Sequence, residues 1–219
     1  QLDVAVIGGG PAGMTAASRV KRLNPSARVA VFERSSYVSY APCGLPYYLG
    51  GLAASFEELV HYPLRVFTEE RGIEVHVNTE VVEVGDGYLR ARKRSGEELS
   101  FEWRKLLIAT GARPRRLKVP GEDHEGALYL RTLEDGERAK RALERARRVA
   151  VIGAGYIGVE LADNLRRVGK EVLLFEVMPR VMPQLDAEIS SLVEEELRRH
   201  GVEVRLGERV VELSGSSSV

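Results

Sequence analysis

The sequence predicts an α/β protein made of two tandem units with parallel sheets. Two glycine-rich fingerprints, Gly8-Gly-Gly-Pro-Ala-Gly13 and Gly153-Ala-Gly-Tyr-Ile-Gly158, carry this prediction. Each fingerprint follows a short apolar run and precedes a stretch with helical spacing of its apolar residues. An internal duplication supports the same division, because Val4-Ala-Val-Ile-Gly recurs as Val149-Ala-Val-Ile-Gly. We therefore expect two homologous α/β units in one chain.

The elements of the first unit follow from apolar runs and turn signals. They are, in order, strand 2–7, helix 11–23, strand 27–32, hairpin strands 88–94 and 97–103, and a last parallel strand over 105–110. The hairpin is predicted to be antiparallel because two alternating segments flank the turn at Ser95-Gly96. We expect it as an insertion before the last parallel strand, which ends at Gly111-Ala-Arg-Pro114.

The second unit repeats the start of this order. Its elements are strand 148–152, helix 156–168 and strand 171–175, which ends at Glu176. A helix over 133–147, with Thr132 as its N-cap, leads into this unit. After Leu213 the pattern of the first copy requires a hairpin and a final strand, but the printed sequence continues only with a Ser/Gly-rich tail. We therefore expect the second unit to be incomplete.

The glycine spacing of both fingerprints is typical of dinucleotide binding. In the first, Gly8 permits a tight turn, Gly10 lets the backbone approach a pyrophosphate, and Gly13 lets the helix pack on the strand. The helix N-terminus then faces the phosphate. Glu33 and Glu176, about 20 residues beyond their fingerprints, are placed to accept hydrogen bonds from ribose hydroxyls. The alternative for each is a charged strand end on the surface. Two Rossmann-like three-layer units are thus predicted.

Composition excludes several other classes of function. The 219 residues carry 32 basic and 32 acidic side chains, and no run of Lys or Arg indicates a nucleic-acid groove or a membrane patch. The N-terminal apolar segment, about six residues long, is too short for a signal peptide or a membrane span. The four histidines lack ligand spacing, so we expect no metal site. A single cysteine excludes an internal disulfide framework and suits a reducing cytoplasm.

That cysteine, Cys43, lies in the segment Ala41-Pro-Cys-Gly-Leu-Pro-Tyr47. The apolar stretch 45–49 is predicted to be helical, with Pro46 in its first turn. A thiol at the start of a helix ionises more readily, because the helix dipole stabilises the thiolate. The alternative is a buried, inert cysteine that packs as a small apolar side chain.

Several segments together resemble one known family. They are the fingerprint 8–13, Cys43-Gly-Leu-Pro-Tyr-Tyr with Gly50-Gly51, Leu107-Ile-Ala-Thr-Gly-Ala-Arg-Pro114, Leu130-Arg-Thr132 and Gly153-Ala-Gly-Tyr-Ile-Gly-Val-Glu160. The chain is similar to the N-terminal half of the pyridine nucleotide-disulfide oxidoreductases, in particular the single-cysteine branch with coenzyme A-disulfide reductase, NADH oxidase and NADH peroxidase. This resemblance implies FAD in the first unit, NADH or NADPH in the second, and Cys43 as a redox thiol facing the flavin.

The predicted domains are as follows: an FAD-binding domain over 1–115, a connector and helix over 116–147, an incomplete NAD(P)H-binding domain over 148–213, and a flexible tail over 214–219. By resemblance, the full-length protein is expected to be a homodimer that acts on a small-molecule disulfide or oxygen, with coenzyme A as the expected ligand. The absence of a Lys/Arg run predicts no nucleic-acid or membrane partner.

The resemblance also indicates a reaction. Two-cysteine members carry a second cysteine five residues after the first, where this chain has Tyr48, so Cys43 is expected to cycle through a mixed disulfide or a sulfenic acid. The peroxidases have a histidine where this chain has Pro11, and the residues around Cys43 resemble coenzyme A-disulfide reductases more than oxidases. We expect an FAD-dependent NAD(P)H oxidoreductase that reduces a small disulfide, with coenzyme A disulfide as the leading substrate. Reduction of oxygen, reduction of polysulfide or persulfide, and a nucleotide-binding fragment without turnover are the alternatives.

Basic residues of the first helix are candidates for the coenzyme A site. Arg19 and Arg22 are three residues apart and share a helix face, and the resemblance places such residues near the phosphates of coenzyme A. A solvated helix face is the alternative. Ser39 completes the expected substrate site.

The predicted nicotinamide site favours NADH, because the carboxylate of Glu176 would repel a 2′-phosphate, although nearby Arg180 could offset this preference. The resemblance gives the ring of Tyr156 a place over the flavin, with core packing as the alternative. The full set of predicted cofactor-binding residues is Gly8, Gly10, Pro11, Gly13, Glu33, Arg34, Val82, Ala109, Thr110, Gly111, Arg131, Gly153, Gly155, Tyr156, Ile157, Gly158, Glu160 and Glu176.

Overall fold

A computed structural model describes residues 1–215; residues 216–219, within the tail predicted over 214–219, lie outside the described part of the chain. Contacts group the chain into two compact units. The first contains residues 1–41 and 60–113, and the second contains residues 42–59 and the described residues from 114 onward. The segment that carries Cys43 is thus grouped with the second unit, whereas the predicted division at residue 115 puts it in the first. The reason is that the short helix after Cys43 packs on two helices of the second unit.

The first unit is built on one six-stranded sheet. Its elements are β1 (Leu2–Ile7), α1 (Pro11–Leu23), β2 (Val29–Phe32), a π-helical turn (Val66–Glu70), β3 (Glu74–His76), β4 (Thr79–Val84), β5 (Tyr88–Lys93) and β6 (Glu98–Ile108). The strand order is β3-β2-β1-β6-β5-β4. Strands β3, β2, β1 and β6 run parallel, and β4, β5 and β6 form an antiparallel meander.

Strand β6 corrects the prediction of two separate elements, a hairpin strand over 97–103 and a last parallel strand over 105–110. They form one strand, whose first half pairs antiparallel with β5 and whose second half pairs parallel with β1. No glycine or proline interrupts Glu98–Ile108, so nothing in the sequence forces a turn between the halves. Because β4 adds a third antiparallel strand, the insertion is a meander rather than a two-stranded hairpin.

Both faces of the central strands are covered in the first unit. On one face, Met14 of α1 packs with Val6 of β1. On the other face, Leu89 of the meander packs with Ala5 and Phe32. Neighbouring residues of a strand point to opposite faces, so Ala5 and Val6 enter different cores. This gives the three-layer arrangement predicted for the unit.

The second unit has a smaller parallel sheet. Its elements are α2 (Leu45–Leu49), α3 (Leu133–Arg145), β7 (Arg148–Ile152), α4 (Tyr156–Arg167), β8 (Glu171–Glu176), α5 (Ala187–Arg199) and β9 (Val202–Leu206). The sheet order is β7-β8-β9, and its core includes Leu165 of α4, Leu174 of β8 and Leu197 of α5. Thr132 caps α3 through a capping box with Asp135, as its position predicts.

The described residues contain no helix with the length and apolarity needed to cross a bilayer. The same part of the chain holds no group of three or more His, Cys, Asp or Glu side chains arranged to bind a metal ion.

Candidate functional site

The first glycine turn joins β1 to α1. Gly8 has a φ of 107°, which favours glycine, and its N–H donates to the carbonyl of Phe32 at 2.8 Å. A Cβ on Gly8 would lie 2.3 Å from the carbonyl oxygen of Ala109, so the turn passes directly against the residue that follows β6. A Cβ on Gly13 would lie 1.9 Å from the carbonyl oxygen of Gly8. The turn, α1 and the end of β6 therefore meet without room for side chains.

Glu33 ties this turn to the end of β2. Its Oε2 accepts a hydrogen bond from the N–H of Gly9 at 2.7 Å, and its Oε1 accepts from the N–H of Ser35 at 2.8 Å. The N–H of Ser39 donates to the carbonyl of Gly9 at 2.9 Å. Gly9 is thus held through both of its backbone polar groups. The sequence pattern did not show this tethering role of Glu33 and Ser39.

The second glycine turn repeats the same network. Gly153 has a φ of 101°, and Oε2 of Glu176 accepts from the N–H of Ala154 at 2.8 Å. The other oxygen of Glu176 accepts from the N–H of Met178 at 2.9 Å. The N–H of Met182 donates to the carbonyl of Ala154 at 2.7 Å. The duplication seen in the sequence therefore extends to individual hydrogen bonds.

Both helices that follow these turns present uncapped N-termini. The N-cap residues, Gly10 of α1 and Gly155 of α4, have no side-chain hydrogen bond to the helix, and neither first turn contains an acidic residue. A Cβ at either glycine would meet no atom within 4 Å in the part of the chain that the structure describes. Helix α3 differs, because Thr132 caps it. The first N–H groups of α1 and α4 are therefore open to an external anion, which is what a bound pyrophosphate requires.

These observations fit a dinucleotide in each unit. An ionised carboxylate has about four acceptor positions. Two are used in Glu33 and two in Glu176 by backbone N–H groups, and the rest can accept from ribose hydroxyls. Glu176 is 8% exposed. The alternative of a freely solvated strand end therefore does not describe it.

The other predicted cofactor residues differ in their surroundings. Ala109 contacts the Gly8 turn through its carbonyl, and the N–H of Arg131 donates to Oδ2 of Asp135 at 3.1 Å. The predicted residues with exposed positions are Pro11, Arg34, Val82, Thr110, Gly111, Tyr156 and Ile157. Glu160 is partly buried on α4, and Gly158 is packed against the carbonyl of Gly153. The exposed ring of Tyr156 does not fit the core-packing alternative.

Cys43 is exposed, in a single 3₁₀ turn, Pro42–Gly44, directly before α2. Pro46 stands in the first turn of α2, as the sequence predicts. The alternative of a buried cysteine that packs as a small apolar side chain is therefore wrong. An exposed thiol can reach a solvent-borne reactant.

Arg19 and Arg22 line a groove of about 800 Å³ on the outer side of α1. The other lining residues are Thr15, Ser18, Lys21, Pro25, Tyr62, Glu69, Glu70, Arg71 and Gly72. Arg71 crosses it: Nη1 donates to Oγ of Ser18 at 2.8 Å, and the guanidinium lies 4.8 Å from the ring centre of Tyr62. Four basic side chains thus face two carboxylates. Helical spacing could not predict Arg71, which lies outside α1 and lines the groove only because the fold brings it there.

Ser39 lies at the glycine turn and not among the residues that line this groove. It is buried and has a φ of 53°. The predicted substrate set is therefore divided between the groove, for Arg19 and Arg22, and the turn, for Ser39.

Comparison with known proteins places the chain in one family. The model of the pyridine nucleotide-disulphide oxidoreductase family matches residues 2–219. A CoA-dependent NAD(P)H sulfur oxidoreductase of Pyrococcus abyssi is 42% identical over 219 residues, which are 99% of this chain and 48% of that protein. An NADH oxidase of Methanocaldococcus jannaschii is 31% identical over 100% of this chain and 50% of its own length. The chain thus spans about half the length of the curated relatives it matches.

Solved structures agree with this placement. An NAD-dependent persulfide reductase from A. fulgidus superposes with a TM-score of 0.93 at 37% identity, covering 98% of this chain and 41% of that one. FAD is characteristic of the matching family, and structural neighbours have been solved with NADH or NADPH bound. The paired glycine turns and the family match over residues 2–219 lead to one conclusion: the chain belongs to the pyridine nucleotide-disulphide oxidoreductase family.

Proposed function

We propose that this chain belongs to an NAD(P)H-dependent flavoprotein that reduces a sulfur–sulfur bond carried by coenzyme A, with Cys43 as the redox thiol. The groove of α1 is the observation that carries this proposal. Arg19, Arg22 and Arg71 offer guanidinium groups, which suit the phosphates of coenzyme A. A relative with 42% identity is named as CoA-dependent, which supports this ligand.

The chain's own residues have separate tasks in this proposal. The turn at Gly10 with Glu33 would hold FAD, and the turn at Gly155 with Glu176 would hold the nicotinamide nucleotide. When bound, FAD supplies two-electron transfer from NAD(P)H to sulfur. The residues of both units bind and orient these groups. A cytoplasmic location and a full-length homodimer are part of the proposal.

Reduction of coenzyme A disulfide is the leading reaction. The Sγ thiolate of Cys43 attacks one sulfur of the disulfide, the sulfur–sulfur bond breaks, and one coenzyme A leaves as a thiolate that takes a proton from water. The product on the protein is a mixed disulfide between Cys43 and the second coenzyme A. A hydride equivalent from NAD(P)H then breaks this bond, regenerating the thiolate and releasing the second coenzyme A as a thiol.

Reduction of coenzyme A persulfide is the second candidate. The names of a 42% identical relative and of a 37% identical structure, a sulfur oxidoreductase and a persulfide reductase, favour it. The overall reaction consumes one NAD(P)H and one proton and yields coenzyme A and hydrogen sulfide. Both candidates use the same groove and the same thiol. Oxygen reduction has support from the NADH oxidase relative but gives the groove no role.

The test uses the full-length protein with its cofactors and compares coenzyme A disulfide, coenzyme A persulfide and oxygen as acceptors. The double variant Arg19→Ala/Arg22→Ala should raise KM for the coenzyme A acceptors by about tenfold or more, because it removes two charge-assisted contacts with the phosphates. High salt should weaken binding in the same direction. Reduction of the flavin by NADH should be unchanged.

Two controls complete the experiment. Arg92→Ala/Arg94→Ala removes two exposed arginines of the same unit outside the groove and should leave KM unchanged. Cys43→Ser should abolish acceptor reduction and the long-wavelength thiolate-to-flavin absorption band. The proposal is wrong if Cys43→Ser keeps reductase activity, or if the groove variant handles coenzyme A acceptors like the wild type at low salt.

A further inference from the structure

The helix after Cys43 is too short to hold its own position. Helix α2 spans only Leu45–Leu49, and isolated helices of this length are unstable in water. Its place must come from packing. The contacts of α2 are made with α3 and α4, within the same compact unit. The position of the 3₁₀ turn that carries Cys43 therefore depends on these two helices.

Lys140 of α3 holds the C-terminal end of α2. Its Nζ donates a hydrogen bond to the carbonyl oxygen of Tyr48 at 3.0 Å and lies 5.1 Å from the centre of the Tyr48 ring. Burial raises the pKa of the Tyr48 hydroxyl, and the nearby carboxylates of Glu137 and Glu57 add to this shift. The ring is therefore neutral, and its face can interact with the ammonium group. One side chain thus secures both the backbone and the ring of Tyr48.

Close packing fixes α2 from both sides. A Cβ on Gly136 of α3 would lie 2.6 Å from Cδ2 of Leu45, and a Cβ on Gly50 would lie 2.4 Å from Oδ1 of Asn164 on α4. Asn164 is 2% exposed, and its Oδ1 has no hydrogen-bond partner among the described residues. The fit leaves α2 little freedom to move between α3 and α4.

We propose that Lys140 is a positioning residue for Cys43. It acts through Tyr48 and α2 and contacts no reacting atom. Two-cysteine members carry their second cysteine at the position of Tyr48. In this chain Tyr48 instead links α2, the helix that follows Cys43, to Lys140 of α3. This inference rests on the proposed function in one respect, that Cys43 is the redox thiol.

The experiment uses full-length holoprotein. Lys140→Met removes the ammonium group and keeps most of the apolar side chain. Deuterium exchange in the peptide covering residues 42–51 should become about tenfold faster, because the opening of α2 is no longer opposed. The kcat for coenzyme A disulfide should fall by about tenfold, because the thiol is less well placed. The KM and the rate of flavin reduction by NADH should change little.

Two further variants separate positioning from general destabilisation. Lys140→Arg keeps a charged donor and should restore most of the exchange protection and kcat. Lys170→Met is the matched control, since Lys170 also donates to helix-end carbonyls, those of Leu143 and Ala146, but at the end of α3. It should leave the peptide 42–51 and kcat unchanged.

Several results would overturn the inference: exchange unaltered in Lys140→Met, faster exchange with normal kcat, or equal effects from Lys170→Met. Retained reductase activity in Cys43→Ser would instead refute the proposed function. In that case the exchange data alone would still show whether Lys140 holds α2.

Discussion

The two glycine turns have the same internal hydrogen bonds but different neighbours. In each turn the first glycine has a φ near 100°. The next residue, Gly9 or Ala154, donates its N–H to a carboxylate, and its carbonyl accepts from an N–H six residues after that carboxylate. The tethering residues, Ser39 and Met182, have φ of 53° and 43°. The repetition of such detail in two units indicates that the network belongs to the turn itself.

The difference lies in what surrounds each turn. In the first unit, β1 is flanked by β2 and β6, and Gly8 touches Ala109 at the end of β6. In the second unit, β7 pairs only with β8 among the described strands, and a Cβ on Gly153 would meet no atom of the described residues within 4 Å. Within the described residues, this second constraint acts on the first turn alone. Substitutions at matched positions can measure that constraint.

The largest difference is expected between Gly8→Ala and Gly153→Ala. Both put a side chain at positive φ, which costs about 1–2 kcal/mol. Gly8→Ala also drives Cβ against the backbone of Ala109, so we expect a total destabilisation of about 3–5 kcal/mol. Thermal unfolding of the 219-residue chain with each substitution measures this difference. Equal losses would show that the contact with β6 adds nothing to the first turn.

The next effect concerns the carboxylates. Glu33→Gln and Glu176→Gln each exchange an acceptor for an amide that cannot accept from both N–H groups, with an expected loss of about 1.5–3 kcal/mol in stability at either site. Amide exchange at Gly9 or Ala154 should accelerate correspondingly.

Nucleotide binding gives a second measurement of Glu176. The wild type should prefer NADH over NADPH by roughly 1–3 kcal/mol in kcat/KM. Glu176→Gln should lower kcat/KM for NADH without an equal increase for NADPH, because the substitution disturbs the turn itself. If Glu176→Gln instead preferred NADPH over NADH at unchanged stability, the role of the carboxylate would be limited to binding the ribose.

The smallest effect is expected at the middle residues. Gly9→Ala would place Cβ 2.7 Å from Cγ1 of Val38, and such overpacking costs about 1–3 kcal/mol. Ala154→Gly removes a fully buried methyl, a loss of about 1 kcal/mol. Opposite substitutions should therefore destabilise both turns. A stabilised Gly9→Ala variant would mean that Val38 moves easily.

Much of this architecture follows from local sequence signals. Strand β1 and helix α1 have the predicted bounds, since the apolar run and the fingerprint define them. Continuity of β6 was missed because alternation alone does not reveal that a strand changes its partner. The backbone hydrogen bonds from Ser39 to Gly9 and from Met182 to Ala154 could not be predicted, because main-chain groups do not depend on residue type. Their only signal is a valine five residues after each glutamate, Val38 and Val181.

The cationic groove was predicted only in part for a related reason. Arg19 and Arg22 follow from helical spacing, but Arg71 lies about fifty residues away and is brought to α1 by the fold. The packing of α2 against α3 and α4 likewise could not be predicted, because it joins segments far apart in the chain.

The continuous strand β6 has a consequence for the order of folding. Its first half pairs with β5 a few residues away, as in Ala91 with Leu99, whereas its second half pairs with β1 about one hundred residues away, as in Ile7 with Ile108. Closing the short loop costs far less entropy. We therefore expect the meander to form early and to present the rest of β6 as a template on which β1 is captured late. The support beneath Gly8 would then be among the last parts of the first unit to assemble.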